Sequence, residues 1–160
     1  MSSFTDSYAA AISLTILNCG YSTHTETKID FSRFCNLKDI VVHSDSYEFG
    51  SFTIPPNLRR LDVSQYLNLI KLELPGRFLP NMKEQVLYGN KVGSVAHIGN
   101  IIFLKVLSLS RNRVYDIKSL GKCTKLQKLD LSAKKMKSIE GVKNSRDLQM
   151  LDLCDNKLII

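Results

Sequence analysis

The 160-residue sequence lacks the features on which most enzymes, metal sites and membrane proteins depend. It has no tryptophan and no apolar run of about 18 residues, the length needed to cross a membrane. The apolar stretch near the N-terminus has no Lys or Arg before it, which argues against a secretory signal peptide. The four cysteines form no C-x-x-C pair, and no histidine stands at ligand spacing. We therefore expect no metal site and a reduced, intracellular location, cytoplasmic or nuclear.

Sequence motifs for catalysis are also missing. His24, His43 and His97 lie far apart in the sequence. There is no Walker loop, no G-x-G-x-x-G loop and no G-x-S-x-G nucleophile elbow. We therefore expect no catalytic residues, no cofactor and no enzymatic activity.

What the sequence does contain is a 22-residue repeat that runs from Met82 to Ile160. Leu104, Leu126 and Leu148 open successive copies. Within the copies, fixed columns are filled by Leu107, Leu129 and Leu151, by Leu87, Leu109, Leu131 and Leu153, and by Asn90, Asn112 and Asn156. The pattern L-x-x-L-x-L-x-x-N is a leucine-rich repeat, in which each copy forms one turn of a solenoid and neighbouring turns bury each other's leucines.

This pattern predicts an α/β fold, a curved leucine-rich repeat solenoid. Parallel strands are expected on its concave face and short helical, 3-10 or irregular segments on its convex face. We expect one domain over residues 1–160, with an N-terminal cap in 1–13, irregular repeats in 14–81 and regular repeats in 82–160. The last repeat is expected to lack a C-terminal cap.

Two irregularities interrupt the repeats. Lys134 occupies the asparagine column of the third copy, and we expect its head to turn out to solvent and leave a gap in the ladder. Leu69 and Leu72 follow Leu58 too closely for a full turn, which predicts a half-length turn that donates an extra strand. Cys123 falls in an apolar column and is expected to be a small buried residue.

The side chains between and after the strand leucines should face the concave side. They form a mixed polar and apolar strip, which we predict to be the partner-binding face: Glu84, Val86, Tyr88, Val106, Ser108, Ser110, Lys128, Asp130, Met150 and Asp152. Cys154 is expected to follow on the same face. Asp62, Glu73, Asp130 and Asp152 share one column, which we interpret as solvated acids rather than as a cation site.

A basic edge is expected beside this strip, formed by the residues that follow the asparagine column: Lys91, Arg113, Lys135 and Lys157. Residues 1–103 carry nine Lys and Arg against nine Asp and Glu, whereas residues 104–160 carry thirteen against six. The net charge of +7 therefore belongs to the C-terminal repeats. The edge either keeps the protein soluble or docks an acidic protein or nucleic acid. Tyr115 is the only aromatic residue that we expect to lie among these cations. Because proteins that bind single-stranded nucleic acid stack bases on aromatic side chains, this scarcity argues against nucleic acid.

Over residues 82–160 the repeat resembles the 22-residue class of leucine-rich repeats seen in the nuclear regulatory subunit of protein phosphatase-1, the dynein outer-arm light chain and the spliceosomal A-prime protein. Phe31, Phe34, Cys35 and Asn36-Leu37 resemble one imperfect BspA-like repeat. The first resemblance implies a non-catalytic scaffold or regulatory module that binds another protein through its concave face, an acidic protein or a phosphatase-type enzyme. The alternatives are an RNA-associated scaffold that uses the basic C-terminal repeats, and a BspA-like surface adhesin.

Overall fold

The computed structural model describes residues 16–21, 29–32, 34–44, 52–65, 69, 79–134 and 136–158. Within these residues the strands are β1 (Ile16–Tyr21), β2 (Ile29–Asp30), β3 (Asp39–Ser44), β4 (Phe52–Thr53), β5 (Arg60–Asp62), β6 (Glu84–Val86), β7 (Val106–Ser108), β8 (Lys128–Asp130) and β9 (Met150–Asp152). Seven of them form one parallel sheet in the order β1-β3-β5-β6-β7-β8-β9, and β2 and β4 form a separate parallel pair. The only helices described are three 3-10 segments, Ile98–Asn100, Lys118–Lys122 and Glu140–Val142.

The register of the large sheet follows the repeat. Leu107, Leu129 and Leu151 pair side by side, and Leu61 and Gln85 continue the same row toward the N-terminus. Because every step in this row joins one coil to the next, the strands form a parallel solenoid. The predicted leucine-rich repeat fold is therefore confirmed.

The predicted half-length turn is wrong. Strand β5 pairs directly with β6, so no extra strand lies between them. Leu69 is buried, and its carbonyl accepts the Lys91 N–H at 3.0 Å, as the Val92 carbonyl accepts the Arg113 N–H one coil later. Leu69 therefore fills the first convex column of the β5 coil instead of opening a new strand. Leu72 and the rest of residues 70–78, including Glu73, lie outside the described residues, as do residues 1–15 with the predicted N-terminal cap.

The leucine columns form a continuous core, and the central strand column contains a polar residue, Gln85. Leu61, Leu107 and Leu129 are almost completely buried in the central strand column. Gln85 stands in the same column and is fully buried, and neither its amide nitrogen nor its amide oxygen has a hydrogen-bond partner. Leu151 is only half-buried in the coil of β9.

The asparagine column bonds each coil to the coil before it. Asn112 Nδ2 donates to the Leu87 carbonyl at 2.7 Å and to the Leu109 carbonyl at 2.9 Å, and Asn112 Oδ1 accepts the Val92 N–H at 3.0 Å. Asn156 repeats this pattern on the Leu131 and Leu153 carbonyls. These bonds satisfy buried backbone groups at the turn, which explains why the column is asparagine.

Lys134 does not turn out to solvent, so that prediction is wrong. Its side chain is buried at 5% exposure, and its Nζ donates to the Leu109 carbonyl, which is the bond to the previous coil that an asparagine would make. The lysine stem is long enough to place its ammonium where the shorter amide would lie. Burial lowers the pKa of Lys134 to about 8, although the nearby Asp130 carboxylate acts in the opposite direction.

The convex side depends on close approach between coils. A Cβ built on Gly141 would lie 2.0 Å from the Ile117 carbonyl oxygen, and one built on Gly99 would lie 2.6 Å from the Ser119 carbonyl oxygen. Cys123 is buried, as predicted, and its thiol donates to the Ile98 carbonyl at 3.3 Å. Burial raises the pKa of this thiol to about 11, so it is not a reactive thiolate at neutral pH.

We expect Gly141→Ala to lower the free energy of unfolding by about 1–3 kcal/mol, because the added methyl would have to push two backbones apart. Gly121→Ala is the matched control, since its Cβ would meet nothing nearer than the Gly141 carbonyl oxygen at 3.6 Å. It should change the stability by less than about 1 kcal/mol. Urea denaturation of the two variants measures the difference, and equal losses would show that the coils do not approach this closely.

Candidate functional site

The structure places the predicted binding residues on one face, in adjacent columns of the sheet. One column contains Glu84, Val106, Lys128 and Met150, and the next contains Val86, Ser108, Asp130 and Asp152. Tyr88 and Ser110 follow at the ends of β6 and β7. Neighbouring strands of a sheet lie about 4.8 Å apart, so these side chains form a continuous surface over four coils. Most of them are half-buried or exposed, but Ser110 is buried at 4% exposure.

Short polar side chains on this face are bonded to one another across the coils. Ser108 Oγ donates to Asp130 Oδ2 at 2.9 Å, and Asp130 Oδ1 accepts the Ser132 N–H at 3.0 Å and its hydroxyl at 2.7 Å. Ser110 and Ser132 share a hydroxyl bond of 2.7 Å. Both oxygens of Asp130 are thus occupied by donors of the protein itself. The described residues contain no group of three or more His, Cys, Asp or Glu placed to hold a metal ion.

At β5 the concave face carries an ion-pair network. Arg60 lies 3.3 Å from an Asp62 oxygen and 3.2 Å from a Glu84 oxygen. Asp62 also accepts the Ser64 N–H at 3.1 Å, which fixes the carboxylate at the end of its strand. The predicted acid column therefore includes one carboxylate, Asp62, whose charge is balanced by an arginine.

The apolar part of the concave face centres on Tyr88. Val86 on β6 and Tyr88 just after it are half-buried, and Val106 on β7 lies opposite Glu84, diagonally from Val86. The Arg111 guanidinium lies 5.5 Å from the centre of the Tyr88 ring. Met150 is 51% exposed, but it lies three strands away from β6, which corresponds to about 14 Å. Val86, Tyr88 and Arg111 thus form one patch, the Tyr88 patch, whereas Met150 stands apart from it.

The sequence-based prediction missed Arg111. It belongs to a column of residues just before the asparagine position that have a positive φ, namely Gln65, Gly89, Arg111, Ala133 and Asp155. A left-handed residue follows each of the strands β5 to β9, and the Arg111 side chain at this position reaches the Tyr88 ring of the preceding coil. The signal in the sequence was the single glycine at position 89, which is the residue that most readily adopts such a φ.

Cys154 is exposed at the end of β9, where its backbone N–H donates to Asp152 Oδ1 at 2.9 Å. A hydrogen bond from the thiol to the Asp152 carboxylate raises the pKa of Cys154, and the negative charge of Asp152 raises it further. The backbone N–H of Cys154 in turn lowers the pKa of Asp152. The thiol is thus held in its less reactive, protonated form.

The residues of the predicted basic edge lie beyond the carboxyl ends of the strands, where backbone hydrogen bonds join each coil to the one before it. The N–H groups of Lys91, Arg113 and Lys157 donate to the Leu69, Val92 and Met136 carbonyls of the preceding coils. The side chains of Arg113 and Lys157 are exposed, and that of Lys91 is half-buried. Lys135, the fourth predicted member, lies outside the described residues.

Comparison with known proteins bears on the fold. Residues 103–144 match the family model for leucine-rich repeats in two copies. Internalin C2 of Listeria monocytogenes superimposes with a TM-score of 0.60 at 14% identity, over 95% of this chain and 76% of that chain. Internalin InlF of the same organism gives 0.58 at 13% identity, over 81% and 45%, and a leucine-rich repeat protein of Leptospira interrogans gives 0.52 at 20%, over 80% and 45%. No curated protein sequence matches the chain.

The sheet register, the asparagine ladder and these matches show that the chain has the leucine-rich repeat fold. It spans less than half the length of InlF and of the Leptospira protein. Repeats of this fold commonly mediate protein–protein interaction and are generally not catalytic. None of the helices in the described part of the chain is long and apolar enough to cross a membrane.

Proposed function

We propose that the protein is a non-catalytic interaction module that binds another protein through its concave face. The observation that carries this proposal is the Tyr88 patch, in which the Arg111 guanidinium lies 5.5 Å from the centre of the half-buried Tyr88 ring beside Val86. Tyrosine and arginine are enriched among the residues that dominate interface energies, because they add large contact areas together with polar tips.

The surroundings of this patch favour a specific interface. The ion pairs of Arg60 on one side and the hydroxyl bonds of Ser108 and Asp130 on the other hold the polar side chains in place before a partner arrives. A prearranged polar rim around an apolar centre lowers the entropy lost on binding. We further propose that the module acts in a reduced, intracellular compartment, which suits the free thiols of Cys123 and Cys154.

We expect the double variant Tyr88→Ala and Arg111→Ala to weaken partner binding by about 30-fold or more, which corresponds to the loss of about 2 kcal/mol at an interface hot spot. Alanine at position 111 should be tolerated by the fold, because Ala133 already occupies the same turn column with a φ of 53°. The test is affinity capture from a native lysate, identification of the captured protein, and titration of that protein against each variant.

The matched control removes the exposed convex lysines in Lys118→Gln, Lys122→Gln and Lys143→Gln, which should keep both partner binding and melting temperature. Met150→Ala should weaken binding less than the double variant, because Met150 lies outside the patch. If the convex variant loses the partner while the concave double variant keeps it, the binding face is on the other side of the solenoid.

A second candidate function, an RNA-associated scaffold, would use the exposed Arg113 and Lys157 on the basic edge. Binding through such phosphate contacts would fall steeply with salt, whereas binding through the Tyr88 patch would not. A titration with single-stranded RNA at two salt concentrations therefore separates these functions.

A further inference from the structure

A groove of about 680 Å³ runs along the sheet edge where the strands begin, opposite the basic edge. Each of three successive coils gives it one asparagine and one cation: Asn36 and Lys38, Asn57 and Arg59, Asn81 and Lys83, with Cys35 completing the lining. The sequence pattern behind it is the triplet N-[LM]-[KR], present three times. The middle residue of each triplet is fully buried, so its two neighbours are left on the surface.

Backbone hydrogen bonds hold the cations in one row. The Arg59 N–H donates to the Lys38 carbonyl at 2.6 Å, the Lys83 N–H to the Arg59 carbonyl at 2.8 Å, and the Lys105 N–H to the Lys83 carbonyl at 2.8 Å. Lys38, Arg59, Lys83 and Lys105 therefore stand on four consecutive coils, and we call them the cation row. The positions that continue the row are Gln127 and Gln149, so the positive charge ends at Lys105.

The cation row keeps an excess of positive charge. Arg59 is 65% exposed and lies 3.6 Å from an Asp39 oxygen, and the Lys83 ammonium lies 4.8 Å from the centre of the Phe103 ring. Among the described residues of these coils, the acids Asp62 and Glu84 pair with Arg60 on the concave face instead. Counting charge by halves of the sequence does not reveal this row, because residues 1–103 carry equal numbers of positive and negative side chains.

We propose that this groove docks an extended acidic segment of a protein partner. The proposal rests on the proposed role in protein binding and adds a second contact surface to it. Carboxylates of the segment would lie on the cation row, while its backbone would lie along Asn81 and along Asn57, whose amide nitrogen also donates to the Cys35 carbonyl at 3.2 Å. Side-chain amides offer both donors and acceptors, as a peptide backbone requires, whereas phosphate oxygens only accept. Stacking of bases is also disfavoured, because Lys83 already lies over the Phe103 ring.

The dimensions of the row set the length of the segment. Lys38 and Lys105 are separated by three coil steps, or about 14 Å. An extended peptide advances about 3.3 Å per residue, so about five residues cover the row. Affinity should therefore rise steeply from diglutamate to hexaglutamate and change little from hexaglutamate to decaglutamate.

The experiment titrates the protein with fluorescently labelled decaglutamate and follows fluorescence anisotropy. We expect the variant Lys38→Gln, Arg59→Gln and Lys83→Gln to weaken binding at least about tenfold, and the single variant Arg59→Glu to weaken it as well. The convex control Lys118→Gln, Lys122→Gln and Lys143→Gln removes the same charge and should stay within about twofold of the unchanged protein. Circular dichroism checks that every variant remains folded, and binding should weaken as salt is raised.

Two results would overturn the proposal. One is equal binding of decaglutamate by the row variant, or by Arg59→Glu, and the convex control, since that would leave only the overall net charge as the cause. The other is tight binding of a single-stranded decauridylate through the row with no binding of decaglutamate. Neither result affects the capture experiment on Tyr88 and Arg111, so failure of the acidic docking groove is distinguishable from failure of the proposed function.

Discussion

Leu129→Ala is expected to lower the free energy of unfolding by about 2–5 kcal/mol, which is a large part of the stability of a domain of this size. Leu129 is 1% exposed, and its strand is paired with β7 on one side and β9 on the other. Loss of its side chain would leave a cavity that coils on both sides border. Urea denaturation monitored by circular dichroism measures the change.

The matched control is Leu151→Ala, in the same column of the sheet. Leu151 is only half-buried, so its truncation removes less buried surface and should cost less than half as much as Leu129→Ala.

Gln85→Leu tests the same column by a substitution that should raise the stability. Because Gln85 is fully buried without hydrogen-bond partners, leucine at this position should stabilise the protein by about 1–3 kcal/mol. A loss below about 0.5 kcal/mol for Leu129→Ala would contradict the register.

The sequence predicted the regular part of the fold because its signal is periodic. A leucine every 22 residues can be buried only if equivalent leucines of adjacent coils stack, so Leu107, Leu129 and Leu151 had to share one row. Leu69 was wrongly predicted to open a new strand, because it begins an L-x-x-L-x-L pattern like that of a strand. A leucine in the first convex column of a coil can produce the same pattern. Only pairing between strands, which is a contact distant in sequence, distinguishes the two cases.

The surfaces were predicted less completely than the core, for a physical reason. Alternation along a strand was enough to place Val86, Tyr88 and Val106 on one face. The position of the Arg111 side chain depends on a left-handed turn, and the cation row depends on how four coils of unequal length align. The turn recurs every 22 residues, at positions 89, 111, 133 and 155, but the residue type there changes from coil to coil. The first two steps of the cation row are 21 and 24 residues, so the row does not follow the 22-residue period.

Lys134→Asn is expected to stabilise the protein at neutral pH. The buried ammonium of Lys134 loses hydration, which is why its pKa falls to about 8 from 10.5. Below pH 8 the group is charged in both the folded and the unfolded chain, so the folded state carries the whole penalty. Between pH 8 and 10.5 the unfolded chain binds more protons than the folded one, so the stability contributed by this site rises with pH. The advantage of the variant should therefore shrink by up to about 3 kcal/mol over this range.

The variant Lys134→Met distinguishes the effect of removing the buried charge from the effect of restoring the asparagine hydrogen bonds between coils. Methionine also removes the buried ammonium, so its advantage over lysine should show the same pH dependence as that of asparagine. Asparagine additionally offers an acceptor to the Val114 N–H, in the way that Asn112 and Asn156 serve Val92 and Met136. It should therefore exceed methionine by about 0.5–1.5 kcal/mol at every pH. Thermal melts from pH 7 to about 10.5 measure both differences, and a stability gap that does not change with pH would show that the Lys134 ammonium is solvated in the folded protein.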